Sequence, residues 1–336
     1  MTATPSIVPF VTVIMPIRNE GGFIERSLGA VVSQTYPHDR YEVLLADGMS
    51  TDDTRLAIAR LASSSDVDVK IVDNPGKIVP TGFNAALALA RGAVIVRVDG
   101  HTIIAQDYVR ACVETLERSG ADNVGGKMNA VGRTFLARAI ALATSSAFGV
   151  GGARFHYSDR EELVDTVYMG AWPRSVFERI GVFDEELVRN QDDEFNYRLR
   201  AQGGKILLSP HIQSEYFNRS SWRSLARQYY QYGVYKVRVM QKHPRQMQPR
   251  QFIPPVFNLG VVGGLVVAPF SDLLRAIWLI CLGIYLAGAL LVSARIAMRE
   301  GWQYLPVLPV LFLTLHLSYG AGFILGLWKF RGRWKA

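Results

Sequence analysis

The first hundred residues contain four short apolar runs, and each run ends in a polar or glycine-containing turn. Unbroken apolar runs of this length predict strands buried on both faces of a sheet, and the apolar positions between them recur at helical spacing. The predicted strands begin at Val11, Tyr41, Val69 and Ala93. Strand and helix therefore alternate four times, which predicts an α/β fold with a doubly wound, mostly parallel sheet.

Three of these strands end in an acid, at Asp47, Asp73 and Asp99. Ligands of open α/β sheets bind beyond the carboxyl ends of the strands. Acids there can accept hydrogen bonds from a base or ribose and can hold a diphosphate through a metal. Each acid alone is more typical of a turn or a helix cap. Their common position at one sheet edge favours a nucleotide site.

The run AVIVRVDGHT places two possible metal ligands at the end of the fourth strand. Asp99 and His101 offer a carboxylate oxygen and an imidazole nitrogen on one short turn, which suits a divalent ion. The alternative is an Asp that caps the next helix and a solvated His. The first strand is not followed by GxGxxG, and no Gly-rich loop ends in Gly-Lys-Ser/Thr. Dinucleotide-dependent redox chemistry and P-loop hydrolysis are therefore disfavoured.

The C-terminal part of the 336-residue chain is far more apolar. Three stretches carry no formal charge: 21 residues from 251, 19 from 276 and 28 from 301. Each is long enough to cross a hydrocarbon core of about 30 Å as a helix. We therefore expect a membrane region of two or three helices over 251–328. The N-terminus, MTATPSIVPF, shows no signal peptide, so the preceding domain is expected to remain in the cytoplasm.

The stretch from Tyr216 to Arg250 contains eight Lys or Arg and no acid. Its apolar and aromatic positions repeat at helical spacing from Trp222 to Met240, with cations interleaved. A basic amphipathic helix beside a membrane region is typical of an interfacial helix that contacts membrane lipids. The alternative is a helix packed on the soluble domain with solvated cations.

Charge and cysteine content restrict the partners. The net charge of +8 favours anionic lipid or phosphorylated ligands, and no recognisable motif supports binding to nucleic acid. Cys112 and Cys281 lie in different regions, so neither a disulfide nor a metal–thiolate cluster is expected.

Several segments together resemble glycosyltransferase family 2, which has the GT-A fold. VTVIMPIRNE, LLADGMSTDDT, NPGKIVPTGFNAAL and RVDGH are similar to its nucleotide-binding half, and GAWPRSVFERIGVFDEELVRNQDDEFNYRLRAQGGKI to its acceptor half. The likeness is greatest to membrane-associated bacterial exopolysaccharide glycosyltransferases of the succinoglycan-biosynthesis type. It covers about the first 240 residues well.

The resemblance implies a donor site along the sheet edge. The turn after the first strand would line the nucleotide pocket, an acid would contact the base or ribose, and Asp99 matches the first acid of the Asp-x-Asp metal motif. His101 replaces the second acid. It can bind Mn²⁺, whereas Mg²⁺ prefers oxygen, so the divalent metal could be either Mg²⁺ or Mn²⁺. The implied donor-binding residues are Pro16, Ile17, Arg18, Glu20, Asp47, Asn74, Lys77 and Asp99, and the implied metal ligands are Asp99 and His101.

The resemblance also implies a catalytic base. Asp192 aligns with the base of the family's Glu-Asp motif, although Gln191 stands where the Glu usually is. Asp193 is the second candidate and a possible acceptor contact. Acids at a helix N-terminus are also favourable for purely structural reasons. Trp172 and Arg174 follow a predicted short strand, where the family suggests acceptor contacts, although Trp172 could equally belong to the core.

These expectations define the predicted domains. Residues 1–215 form a cytoplasmic GT-A domain, with a nucleotide-binding half over about 1–120 and an acceptor half over 121–215. A basic juxtamembrane region covers 216–250, and a basic tail follows at 329–336. The Gly-rich segment FGVGGARFHYSDREE is expected to be either a mobile loop over the substrates or a plain surface loop. The positive-inside rule places the tail in the cytoplasm and so requires an even number of crossings.

The predicted function is inverting, metal-dependent transfer of a sugar from a nucleotide-diphosphate donor. The acceptor is expected to be polyprenyl-phosphate-linked or otherwise lipid-linked, at the cytoplasmic face of a bacterial inner membrane. One alternative is a processive polysaccharide synthase. The other is a catalytically silent membrane protein that binds sugar nucleotides or acts as a scaffold, for which His101 and Gln191 are the best support.

Overall fold

The structure is a computed structural model that describes residues 8–218 and 221–334. The chain divides into two compact units. The first, called the sheet unit, comprises residues 8–129 together with 157–217. The second, called the helical unit, comprises residues 130–156, 218 and 221–334. The segment 130–156 therefore belongs with the C-terminal helices and not with the predicted acceptor half.

The sheet unit is built on one mixed sheet, whose strand order is β3-β2-β1-β4-β8-β6-β9-β5, with β7 paired to β9. Strands β1 to β4 are mutually parallel, and the strands on the other side of β4 are added in antiparallel pairs. The strands are β1 Val11–Ile17, β2 Tyr41–Asp47, β3 Asp68–Asp73, β4 Val94–Arg97, β5 Thr102–Ile104, β6 Asn123–Val131, β7 Glu162–Leu163, β8 Tyr168–Pro173 and β9 Ile206–Phe217. The predicted α/β fold with a mostly parallel doubly wound sheet is confirmed.

Six helices accompany this sheet: α1 Ile24–Val32, α2 Thr54–Ser63, α3 Val79–Leu89, α4 Tyr108–Ser119, α7 Arg174–Ile180 and α8 Gln191–Ala201. Every residue of β1 and of β2 is buried, as expected for central strands covered on both faces. The main core includes Val13 and Met15 of β1 together with Ile24 and Leu28 of α1. Helix packing on this apolar sheet fixes the strand ends where the candidate site lies.

The helical unit contains α5 Phe135–Thr144, α6 Ala147–Val150, α9 Trp222–Lys242, α10 Ile253–Val267, α11 Asp272–Glu300 and α12 Leu308–Lys329. Among the described residues, three stretches are long and apolar enough to cross a membrane: Pro249–Phe270, Asp272–Glu300 and Leu308–Lys329. The predicted apolar C-terminal helices are therefore confirmed.

One expectation for this region was wrong in part. Phe148, the first residue of the Gly-rich segment, lies in α6 and packs edge-on against Phe312 of α12, with ring centroids 5.0 Å apart. This end of the segment is thus part of a helical core and not a surface loop. Helix α9 packs along α12, within the helical unit.

Candidate active site

The register of the parallel strands brings the three strand-end acids to one edge of the sheet. Asp47 is level with Ile17 of β1 and with Asp73 of β3, and β4 lies on the other side of β1. Asp99 follows two residues after the end of β4. The expected cluster at the carboxyl ends of the strands is therefore present, and the hydrogen bonds of each acid show what it does there.

Asp47 is fully buried and its carboxylate is held from two sides. It accepts hydrogen bonds from the backbone N–H and the hydroxyl of Ser50, and from Nε of Arg55 at 2.5 Å. The same guanidinium donates through Nη2 to Asp73, which is largely exposed. Arg55 thus neutralises and fixes Asp47 while tying the ends of β2 and β3 together.

Asn74 and Lys77 both lie in the turn after β3, but their side chains have different roles. The buried Asn74 amide donates to the Ile78 carbonyl and accepts from the Thr81 hydroxyl, so it holds the turn that begins α3. Lys77 has a left-handed φ of 60° and an exposed side chain. Asn74 is therefore structural, whereas the exposed Lys77 side chain offers a cation to an anionic ligand.

The predicted pocket-lining turn after β1 is shorter than expected. Pro16 and Ile17 are the last residues of β1 and are buried in the sheet, so the exposed part of the turn begins at Arg18. Arg18 is exposed, and Glu20 is partly buried. Oε1 of Glu20 lies 3.4 Å from Nδ1 of His101, which links this turn to the one after β4.

The turn after β4 depends on close backbone packing at Gly100. A Cβ there would lie 2.9 Å from Cγ2 of Ile17 and 3.1 Å from Cγ of Glu20, so only glycine fits without displacement. The Ser27 hydroxyl donates to the Gly100 carbonyl at 2.7 Å. These contacts fix Gly100, and with it the positions of its two chain neighbours, Asp99 and His101.

Arg97 was not singled out from the sequence, because it lies inside an otherwise apolar strand. It is 6 % exposed and donates from Nε to Oδ1 of Asp99 at 2.9 Å, with Nη2 2.8 Å from the same oxygen. Its Nη1 is buried without a hydrogen-bond partner among the described residues. Asp99 raises the pKa of Arg97, and Asp192 acts in the same direction, although burial opposes both. A charged residue within a buried strand is the signal that could have identified it.

Asp192 stands in the first turn of α8, and its Oδ1 accepts the backbone N–H of Asp193 at 2.9 Å. Burial raises the pKa of Asp192 above that of an ordinary aspartate. The Arg97 cation opposes this effect, while Asp193 and Asp99 add to it. The structure therefore brings the expected base into the electrostatic field of the Arg97–Asp99 pair.

Trp172 and Arg174 do not belong to this cluster, contrary to expectation. Trp172 lies within β8 and is 1 % exposed, surrounded by Phe83, Phe177, Phe183 and Phe195. Arg174 donates to the Ala90 carbonyl, and its backbone N–H donates to Ala93, which precedes β4. Trp172 is thus core, and Arg174 lies at the opposite end of β4 from Asp99.

The side chains at the end of β4 offer two ligands to a metal, Asp99 and His101. Among the described residues, no three His, Cys, Asp or Glu side chains converge on one metal position. The side chains of Asp99 and His101 are 15 % and 32 % exposed, and Oδ1 of Asp99 is held by Arg97. A carboxylate and an imidazole fit a divalent cation that brings further oxygen ligands with it, such as those of a diphosphate.

Comparison with known proteins agrees with this architecture. The chain is 30 % identical over 342 residues to the succinoglycan biosynthesis protein ExoA of Rhizobium meliloti (strain 1021), with 99 % of this chain and 98 % of ExoA covered. It is 27 % identical over 331 residues to the dolichyl N-acetyl-alpha-D-glucosaminyl phosphate 3-beta-D-2,3-diacetamido-2,3-dideoxy-beta-D-glucuronosyltransferase of Methanococcus voltae, with 95 % and 98 % covered.

The fold is also similar to a solved structure. Mannosyltransferase PcManGT from Pyrobaculum calidifontis, in complex with GDP-Man and Mn²⁺, superposes with a TM-score of 0.62 at 21 % identity, covering 97 % of this chain and 89 % of PcManGT. The model of the family described as glycosyl transferase family 2 matches residues 12–181. The resemblance drawn from the motifs is confirmed, and the chain belongs to glycosyl transferase family 2.

Proposed function

We propose that this glycosyltransferase transfers a sugar, with inversion at the anomeric carbon, from a nucleotide-diphosphate donor to a lipid-linked acceptor. The observation that carries the proposal is the position of Asp192. Asp192 lies in the first turn of α8, and its charge interacts with those of Arg97 and Asp99. This interaction supports a single site that contains both the candidate base and the candidate donor acid.

The chemistry follows from these positions. Asp192 accepts the proton of an acceptor hydroxyl as the hydroxyl oxygen forms a bond to the anomeric carbon. The bond between that carbon and the donor's β-phosphate oxygen breaks, and the nucleoside diphosphate leaves with the electron pair. Attack from the face opposite to the leaving group inverts the anomeric centre. A raised pKa makes Asp192 a stronger base for this step, provided that it is ionised.

The donor would be held along the strand ends. Arg18 and Lys77 are exposed cations beside the turns of β1 and β3, and they suit the diphosphate. Asp47, whose carboxylate is bound by Ser50 and Arg55, is the candidate for contact with the base or ribose. Asp99 and His101 would hold the divalent metal, Mg²⁺ or Mn²⁺. When bound, such a metal neutralises negative charge on the departing diphosphate.

A lipid-linked acceptor is supported by two observations. A relative of nearly equal length, from Methanococcus voltae, is named for transfer to a dolichyl N-acetyl-alpha-D-glucosaminyl phosphate. The helical unit of this chain has three apolar helices that could anchor it at a membrane, where such acceptors reside. We propose the bacterial inner membrane as the location, with the sheet unit in the cytoplasm. Asp193, beside Asp192, is the remaining candidate for acceptor contact.

Donor binding tests the proposal. Purified protein is titrated with UDP- and GDP-sugars, with and without Mn²⁺ or Mg²⁺, and transfer is assayed with polyprenyl-phosphate-linked acceptors. We expect metal-dependent binding of one nucleotide class, which Asp99→Ala should abolish. Asp192→Asn should keep that binding and lose turnover, whereas the matched variant Asp193→Asn should keep kcat and raise the KM for the acceptor.

Product analysis separates the alternatives. NMR of the product should show an anomeric configuration opposite to that of the donor sugar, and a retained configuration would refute the inverting mechanism. Long polymeric products would indicate a processive synthase. A folded protein that binds no sugar nucleotide, or binds one and never transfers it, would favour the silent scaffold.

A further inference from the structure

The three apolar C-terminal helices differ in how much of their length is buried within the protein. In α10 and α11, 17 % and 11 % of the most apolar stretch is buried, whereas in α12 the share is 39 %. Ile253, Val256 and Phe270, around α10, are 66 %, 65 % and 86 % exposed. The exposed apolar surface is therefore concentrated on α10 and α11, and α12 is a central helix of its unit.

Helix α9 covers α12 and runs in the same direction. Near the start of α9, Leu225 shares a buried cluster with Leu308 and Leu315 of α12. Near its end, the Gln241 side chain donates to the Phe330 carbonyl at 2.8 Å. The two helices are thus in contact from one end to the other.

Glycines bring the two backbones into direct contact. A Cβ at Gly322 of α12 would lie 2.0 Å from the Tyr230 carbonyl oxygen, and one at Gly326 would lie 2.8 Å from that of Val234. On α9, a Cβ at Gly233 would lie 2.1 Å from the Tyr319 carbonyl oxygen. No lipid can lie between helices whose backbones are in contact. If α12 crossed the membrane, α9 would therefore have to cross it as well.

Helix α9 is unsuited to the interior of a membrane. Its 21 residues carry two cations in the first two turns and three in the last two, and it is not among the candidate spans of the described chain. Cations within the hydrocarbon region are costly. The cations are Arg223, Arg227, Lys236, Arg238 and Lys242. Helix α9 begins only five positions after the end of β9, which is too few to cross a bilayer. Since α9 itself does not cross, both of its ends lie on the same side of the membrane as β9.

The start of α12 gives an independent indication of the side of the membrane on which this helix lies. Phe135 of α5 stacks on Tyr304, in the turn between α11 and α12, with ring centroids 5.1 Å apart and planes 7° apart. Phe135 follows the end of β6 by four positions, which is too few to cross a bilayer. The turn that begins α12 therefore lies on the same side of the membrane as the strands.

We propose that α12 does not cross the membrane and that the α10–α11 hairpin is the surface that enters the lipid. The hairpin is antiparallel: Phe257 stacks on Tyr285 at 4.3 Å, and Gly264 lies against Trp278. Its first helix starts near the end of α12, since Phe252 packs on Phe323 with ring centroids 5.7 Å apart. Both ends of the hairpin therefore face the same side. The partner is the acyl-chain region of a bilayer, and this inference does not depend on the proposed reaction.

Cysteine labelling in sealed proteoliposomes tests this topology. The parent carries Cys281→Ala, which leaves the buried Cys112 as its native thiol. Single cysteines are introduced as Gln303→Cys in the α11–α12 turn, Gly332→Cys after α12 and Asp66→Cys as the marker for the sheet unit; all three positions are exposed. Each is treated with a membrane-impermeant maleimide before and after lysis of the vesicles, and the parent measures background.

The expected result is that the fraction of protein labelled before lysis is the same at all three positions. If Gly332→Cys reacts on the opposite side from Gln303→Cys, α12 crosses the membrane and the proposal is wrong. If both react on the opposite side from Asp66→Cys, the placement of the α12 ends is wrong. If either stays unlabelled until the protein is denatured, that end is embedded in lipid, which also contradicts the proposal.

Discussion

Arg97 links the two acids on which the proposed reaction depends. It is a buried cation that contacts Asp99 at two points and stabilises the ionised form of Asp192. Without it, the donor diphosphate would meet a cluster of uncompensated carboxylates. Holding these two partly buried acids near each other is acceptable only because a cation compensates their charge.

Replacement of Arg97 should therefore affect donor binding and turnover differently. Arg97→Lys keeps the charge but loses the two-point contact with Asp99, so donor affinity should change little while kcat falls about 10²-fold. Arg97→Met should lower both. Donor titration and steady-state kinetics measure these effects, and thermal unfolding identifies variants that simply fail to fold.

A second variant keeps this test informative if Arg97→Met is unstable. Arg97→Met combined with Asp99→Asn removes the charge pair together and should recover stability without recovering activity. Wild-type turnover in any folded Arg97 variant would show that the residue serves stability alone.

The pH dependence of the reaction should report Asp192. Because burial raises the pKa of this carboxyl, kcat/KM should fall on the acid side at a pH above the ordinary Asp pKa of about 3.9. Arg97 lowers the pKa of Asp192, so Arg97→Met should move that decline to higher pH. Arg118→Met, which removes an exposed ion pair with Glu161, is the control and should leave the profile in place. A profile unchanged by Arg97→Met would mean that another group limits the rate.

Helix α8 is the element that places Asp192, and Arg198 fixes the helix. Its guanidinium binds the buried Glu194 one turn back and donates to the Ile180 and Val182 carbonyls. Arg198→Ala should cost about 3 kcal/mol, because it leaves Glu194 buried without this cation. The turnover of the folded variant should fall, since the start of α8 can then shift.

The matched control for Arg198 is Arg179→Ala. Arg179 pairs with Asp122 at the surface, with its side chain 46 % exposed, so its loss should cost at most about 1 kcal/mol. Denaturant unfolding and kcat measure both variants. Equal losses of stability in the two variants would show that Arg198 does not hold α8.

The elements that the sequence predicted correctly are those whose pattern is local. Strands β1, β2 and β4 are largely apolar and fully buried, so the edge carrying Asp47 and Asp99 could be anticipated. The prediction of burial on both faces was wrong for β3, which is a largely exposed edge strand that contains Asp68 and Lys70. Trp172 and Arg174 could not be placed in the same way. Their surroundings depend on β8 pairing with β4 from a distant part of the chain. Arg97 was hidden by its apolar neighbours, and α5 lacked the length that marks a membrane helix.

At the scale of the whole molecule, the excess positive charge lies in the helical unit. Arg238 donates to the Arg333 carbonyl, which joins the end of α9 to the chain after α12. Arg331 and Arg333 lie over the rings of Trp328 and Phe330, and both cations are exposed. Aromatic rings beside exposed cations are typical of the level of the lipid headgroups.

Neutralising these cations should weaken binding to anionic lipid. Arg331→Gln with Arg333→Gln should reduce affinity for vesicles containing phosphatidylglycerol by about 2 kcal/mol, or about 30-fold, at low salt. Binding to neutral phosphatidylcholine vesicles, which depends on the apolar α10–α11 surface, should be unaffected. Added salt should narrow the difference between wild type and variant, because it screens exposed charges. Arg40→Gln with Arg60→Gln makes the same change in net charge on the sheet unit and is the control, measured by vesicle co-sedimentation. Equal losses in the two double variants would indicate that net charge, and not this end of the helical unit, determines the attraction.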